Sequence, residues 1–218
     1  MNKYITELIG TFFLVLTIGL TVSTGVAMAP LAIGASLMIM VYMGGHISGA
    51  HYNPAVSLAV MLRGKLPPKE FVPYIVSQLI GALAAAAVVW VVLGKTFAPT
   101  PASNASVSAA LVVEILYTFA LALVILNVAT APETQGNSFY GLAIGFTIVV
   151  AAFAGGPISG GAFNPAVGIG PTIVNAILGE GSWKHLWLYL VGPLAGGVLA
   201  AAVYRLQHGD EAGSSDNA

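Results

Sequence analysis

Residues 45–56 read GHISGAHYNPAV and residues 156–167 read GPISGGAFNPAV, identical at eight of twelve positions. The duplication reaches well beyond this stretch. LAIG at 31–34 returns at 142–145, YIVSQLIGALAAAAV at 74–88 is echoed by YLVGPLAGGVLAAAV at 189–203, and Glu7 corresponds to Glu114. Asn53 and Asn164 stand 111 positions apart (164 − 53). The first half of the chain is written twice, so one folding unit must occur twice.

What each unit can be follows from its solvent. The chain is 57% hydrophobic and 7% charged, with a mean hydropathy of +0.90. A soluble domain carries about 25% charged residues; this one cannot cover its surface with polar groups, and lipid is its main solvent. Six apolar stretches are long enough to cross a bilayer as helices: roughly 4–27, 31–48, 71–93, 108–130, 139–157 and 184–206. Only helices and closed barrels satisfy their own backbone in lipid, and the period-2 alternation of barrel strands is missing. The fold class is an all-α membrane protein. The first stretch reads as a retained span rather than a removed signal, because Glu7 stands where a signal carries positive charge and Pro30 follows Ala27-Met28-Ala29.

Each half holds three spans, an odd number, so the second copy is expected upside down relative to the first, as an inverted repeat. Two shorter apolar segments, 55–62 and 166–174, are expected to dip in from opposite faces and meet near the midplane as re-entrant half-helices. Paired short segments of this kind point to a transport site. The organisation expected is one domain over 1–207, with repeats at about 4–93 and 108–206, followed by a polar, disordered tail over 208–218. Lys3, Arg63, Lys65, Lys69 and Arg205 fall on one side and Lys95 and Lys184 on the other, which places both termini in the cytoplasm.

Asparagine is a preferred N-cap, and proline fits the first helical position, whose N–H has no helical partner. Asn53-Pro54-Ala55 and Asn164-Pro165-Ala166 are therefore helix starts. Head to head, they put two positive dipole ends at the pore centre, with each amide NH₂ free to donate to a passing solute. Gly49, Ala50, His51 and Tyr52, and likewise Gly160, Gly161, Ala162 and Phe163, are expected as extended backbone whose carbonyls line a cavity, the only place where non-helical backbone is tolerated at membrane depth.

At these residues the chain resembles the aquaporin (major intrinsic protein) family, over about 2–207. The resemblance implies a pore in each subunit of a homotetramer, with lipid and small neutral solutes as partners and no cofactor, while a net charge of −1 without a basic block gives no sign of a nucleic-acid partner. It also implies that Glu7 and Glu114 brace the pore loops; a proton-relay role for these acids is the alternative. The family's selectivity filter maps to Ile33, Ala152, Gly161 and Val167. Water-selective members carry arginine where Val167 stands, and many carry an aromatic and a histidine where Ile33 and Ala152 stand. Glycerol channels of the family keep the arginine and usually add an aspartate. The set here is small, apolar and uncharged, and is expected to be wide and permissive, as in some plant vacuolar members. A water pore whose outer loop supplies a substitute donor is the alternative.

Pro171 should kink the second half-helix or end it early. His46 and His51 are read as loop braces, with no metal site, and His185 and His208 as interfacial or solvated. Gly34, Gly145, Gly81 and Gly196 are read as close helix crossings, and Trp90, Trp183 and Trp187 as outer interfacial anchors. The function expected is a passive channel for water and small neutral solutes in the cell (inner) membrane, excluding protons and ions. A facilitator mainly for glycerol, urea, ammonia or hydrogen peroxide is the close alternative, and a non-conducting membrane scaffold the alternative of another class. An active transporter would need a coupling carboxylate beside the half-helix ends, and an enzyme a nucleophile–base pair; neither is present in the repeated core.

Overall fold

The computed structural model describes residues 1–209, and among these every regular element is helical. The first half contains α1 (Asn2–Ser23), α2 (Ala29–Ser48), the short α3 (Pro54–Leu62) and α4 (Pro68–Leu93). The second half repeats the order with α5 (Val107–Ile125), α6 (Tyr140–Ser159), the short α7 (Pro165–Leu178) and α8 (Leu186–His208). Six of the eight are long and apolar enough to cross a membrane. Local chemistry sets their ends. Proline opens α3, α4 and α7, while α2, α4 and α6 stop at Gly49, Gly94 and Gly160 with φ of 85°, 63° and 89°, a left-handed conformation that glycine adopts without a Cβ penalty.

The helices approach closely where glycines face each other. A Cβ on Gly34 of α2 would lie 2.5 Å from the Gly145 carbonyl of α6, and one on Gly145 would lie 2.6 Å from the Gly34 carbonyl. Gly81 of α4 abuts the Leu8 carbonyl of α1, and Gly196 of α8 abuts that of Ile115 on α5. The same contact thus recurs in both halves. Away from these seams the helices present large apolar side chains outward, among them Val72, Val91, Phe146 and Ile177, as a lipid-facing surface does. Lys3 of α1 pairs with Glu70 of α4, and the Arg63 guanidinium after α3 lies 4.7 Å from the Tyr204 ring centre of α8. The N-terminus, the end of α3, the start of α4 and the end of α8 therefore share one face.

Two boundaries differ from the sequence reading, at the ends of α7 and α8. Pro171 does not end α7, which runs on to Leu178. Proline removes only the bond to the Val167 carbonyl, and the flanking glycines let neighbours close around the site: Gly168 meets Tyr189 of α8 and Gly170 meets Ala82 of α4. The fourth span ends at Thr130 as expected, its last turn, Leu126–Thr130, being π-helical. At the other end of the chain α8 takes in His208, first residue of the expected tail; it stacks on Tyr204 at 4.2 Å and its Nε2 lies 2.9 Å from Asn127 Oδ1, so it is a packed residue rather than a solvated one. Residues 210–218 of that tail lie outside the described residues.

Candidate pore

Between α2 and α3, and again between α6 and α7, the chain turns inside the protein in an unusual conformation. Gly49, Ala50 and Tyr52 have φ of 85°, 52° and 51°, and Gly160, Gly161 and Phe163 have φ of 89°, 66° and 50°. Asn53 and Asn164, with φ of −157° and −161°, are extended, so left-handed residues interrupt the extended backbone that the sequence led us to expect. A left-handed non-glycine residue costs roughly 1–2 kcal/mol, so three of them must be held in place.

Two buried carboxylates hold them. Glu7 Oε1 accepts from Ser48 Oγ at 2.7 Å and from the His51 N–H at 2.9 Å, while Oε2 accepts from the Tyr52 N–H at 2.7 Å and Gln78 Nε2 at 2.8 Å. In the second copy Glu114 Oε1 accepts from Ser159 Oγ at 2.7 Å and the Ala162 N–H at 3.0 Å, and Oε2 from the Phe163 N–H at 2.6 Å. With the N–H groups drawn toward the acids, the carbonyls of Gly49, Ala50, His51, Gly160, Gly161 and Ala162 accept no protein hydrogen bond among the described residues. All eight loop residues border the internal path or one of its vestibules.

At the centre the two helix starts face each other. Asn53 Oδ1 caps α3 by accepting from the Ala55 N–H at 2.8 Å, and Asn164 Oδ1 caps α7 from the Ala166 N–H at 2.9 Å. Each Nδ2 then crosses over: Asn53 donates to the Phe163 carbonyl and Asn164 to the Tyr52 carbonyl, both at 2.9 Å. Of the two amide hydrogens expected in the lumen, one per asparagine is used to tie the loops together.

The path has three parts. A central cavity of about 40 Å³ contains both asparagines. It shares lining residues with a vestibule of about 450 Å³ beside residues 97–100 and, at Ile144, with one of about 560 Å³ lined by His46, Lys65 and the loop leading to α6. Ile33, Ala152, Gly161 and Val167 border both the central cavity and the 450 Å³ vestibule, so the structure brings these four residues together at one neck. Ile18 of α1 borders both as well, and sequence reasoning missed it, since an isoleucine on an apolar span carries no distinguishing signal. Lys95, Trp90, Trp183 and Trp187 lie at helix ends on this side, all three indoles partly exposed. No cluster of histidines and acids that could hold a metal occurs among the described residues.

Two loops of unpaired carbonyls and two asparagine amides, set among six spans by two half-helices, form a passive path for small solutes rather than a reaction centre. The sequence profile of the family described as "Major intrinsic protein" matches residues 1–204. Over 94% of its length the chain is 37% identical to Aquaporin NIP1-1 of Zea mays, covering 74% of that protein. It is 35% identical to Aquaporin Z of Rhodopseudomonas palustris, over 94% of this chain and 92% of that one. Its fold matches the X-ray structure of the aquaglyceroporin from Plasmodium falciparum with a TM-score of 0.83 at 24% identity, covering 93% and 94% of the two chains. The protein is an integral membrane channel for water and small solutes, not an enzyme. It belongs to the major intrinsic protein family.

Proposed function

We propose that this channel is permissive, passing glycerol, urea, ammonia or peroxide beside water, through a filter formed by Ile33, Ala152, Gly161 and Val167, with Ile18 as a fifth wall. One observation carries the reading: every residue shared by the central cavity and the 450 Å³ vestibule is aliphatic or glycine. An arginine here would set five fixed donors into the neck. With Val167 instead, polar contact falls to the loop carbonyls and the asparagine amides, and the neck offers methyl groups to the apolar side of a solute. The central cavity admits about three water-sized spheres at roughly 10–15 Å³ each, so solutes pass in file, displacing side chains that hold no hydrogen bonds. Light-scattering permeability of proteoliposomes to water and to each solute tests this; water flux with no solute flux would overturn it.

Protons are excluded by the two half-helix N-termini, each worth roughly +0.5 charge, together with the asparagine donors. A pH-sensitive dye inside the same vesicles should hold steady, and fast channel-dependent acidification would refute the exclusion. The chain sits in the cell (inner) membrane as one domain over 1–207, a homotetramer with a pore in each subunit. Both termini are cytoplasmic, because five of its seven lysines and arginines lie on the face that carries the N-terminus. Thr100 at the vestibule wall favours a second reading, a mainly water-conducting pore in which the outer loop supplies the missing donor.

A further inference from the structure

The two pore loops are braced alike but not equally furnished. Glu114 is satisfied by Ser159 and two backbone N–H groups alone. Where the first half has Gln78, Ser57 and His51, the second has Pro193, Gly168 and Ala162. Loop bracing therefore requires none of the three. In the first half, nevertheless, they are buried together, Gln78 and Ser57 at 0% exposure and His51 at 6%.

One assignment of hydrogens gives the buried Ser57 hydroxyl an acceptor. Both Glu7 oxygens already accept backbone N–H groups, so Gln78 must turn Nε2 toward Oε2, at 2.8 Å; the reverse would set two acceptors against each other. The second Nε2 hydrogen goes to Ser57 Oγ at 3.0 Å. Gln78 Oε1 is left buried without a partner, a mark that the orientation is imposed by Glu7 and Ser57 rather than by the amide's own needs. Ser57 Oγ, accepting from Gln78, sends its own hydrogen to His51 Nδ1 at 3.1 Å. Nδ1 is then an acceptor and the ring hydrogen resides on Nε2. That nitrogen has no protein acceptor among the described residues; it lies beside Gly49, 3.2 Å from where a Cβ would stand, and His51 borders the central cavity.

We propose that Gln78 and Ser57 are positioning residues that hold His51 as the neutral Nε2–H tautomer, giving the α3 side of the pore a fixed, uncharged donor. The proposal rests on reading the central cavity as the conduction path. Apart from Asn53 and Asn164, His51 is the one side-chain donor available there, because the Tyr52 hydroxyl is directed out of the cavity to the Met40 carbonyl at 2.9 Å. A hydroxyl hydrogen aimed at Nδ1 also opposes the second proton that an imidazolium requires, so the donor stays uncharged through mild acidification. The titratable groups facing the ring are Glu7 from α1 and Tyr74 from α4, whose ring centre lies 5.1 Å away and whose hydroxyl donates to the Ser48 carbonyl. The α3 residue in contact, Ser57, does not titrate, nor do Leu121 and Ile125 of α5 across the cavity.

Solid-state NMR of the full chain in lipid bilayers with ¹⁵N-labelled histidine reads the tautomer directly, with His51 assigned by its loss in His51→Gln. The expected result is a hydrogen on Nε2 and a bare Nδ1 at both pH ~5.5 and pH ~7.5, with equal wild-type permeability at the two. Ser57→Ala should let His51 protonate, so that permeability at the lower pH falls by about twofold or more. Ser57→Thr, which keeps the hydroxyl, should restore a flat profile, as should His51→Gln added to Ser57→Ala. An Nδ1–H tautomer or an imidazolium in the wild type, or a Ser57→Ala profile as flat as the wild type, overturns the proposal. Wild-type vesicles that conduct nothing would instead overturn the conduction path, while the spectra still decide the tautomer.

Discussion

Asn53 and Asn164 each hold the residue that precedes the other: Asn53 Nδ2 donates to the Phe163 carbonyl and Asn164 Nδ2 to the Tyr52 carbonyl, both at 2.9 Å. The two half-helices are thereby fastened start to start. Each amide keeps one hydrogen for the lumen, which halves the donors that two free amides would present.

This crossing makes the pair energetically coupled. Asn53→Ala and Asn164→Ala should each lower stability in detergent by about 1–3 kcal/mol, through a lost helix cap and a stranded carbonyl. The double variant should fall short of the sum, because each single change already loosens both loops. Thermal unfolding of the three variants measures it. Strict additivity would mean that each asparagine serves only its own helix.

Val167→Arg should reduce glycerol or urea flux more than water flux, since a guanidinium both narrows the neck and demands polar partners. Ile18→Ala, on the same neck, should raise solute flux without adding any donor. Paired water and solute permeabilities check both, and solute flux unchanged by Val167→Arg would sink the permissive filter.

Replacing Glu114 by Gln leaves its shape intact but turns an NH₂ toward groups that donate to it. At least one of the Ala162 and Phe163 N–H groups then loses its acceptor, at about 1–3 kcal/mol, and the left-handed Phe163 relaxes. Stability and conduction should fall together, for water and solutes alike. A stable variant that only changed proton leakage would favour a relay role for the acid instead.

The glycine seams separate close approach from open space. Gly34→Val should prevent α2 and α6 from closing, because its Cβ meets the Gly145 carbonyl at 2.5 Å. Gly156→Ala, with nothing within 4 Å of the added carbon, should fold as the wild type does. Fluorescence-detected size exclusion distinguishes the two, and equal tolerance would mean that the crossing is looser than its geometry.

The sequence by itself determined the six spans, the two half-helix starts and their pairing, because these rest on local chemistry written twice: runs of apolar side chains, Asn before Pro, glycine at helix ends. Glu7 and Glu114 were legible as a matched pair, since each copy carries the acid at the same place, and the resemblance to the family marked them as partners of the loops. Only the tertiary structure decided the rest. Ile18 joins the neck because α1 turns that face inward, which no single isoleucine announces. The asparagine crossing links residues 110 and 112 apart in the chain, and it forms only when the inverted copies dock head to head. Left-handed residues interrupt the loops because Glu7 and Glu114 draw their N–H groups to one side. Helix α7 passes Pro171 because α4 and α8 close around Gly168 and Gly170, and the Gln78–Ser57–His51 chain exists because three elements deliver one side chain each to a single buried point. A hydrogen bond has a range of about 3 Å, so its partners are set by where helices stop against each other, which no local pattern of side chains records.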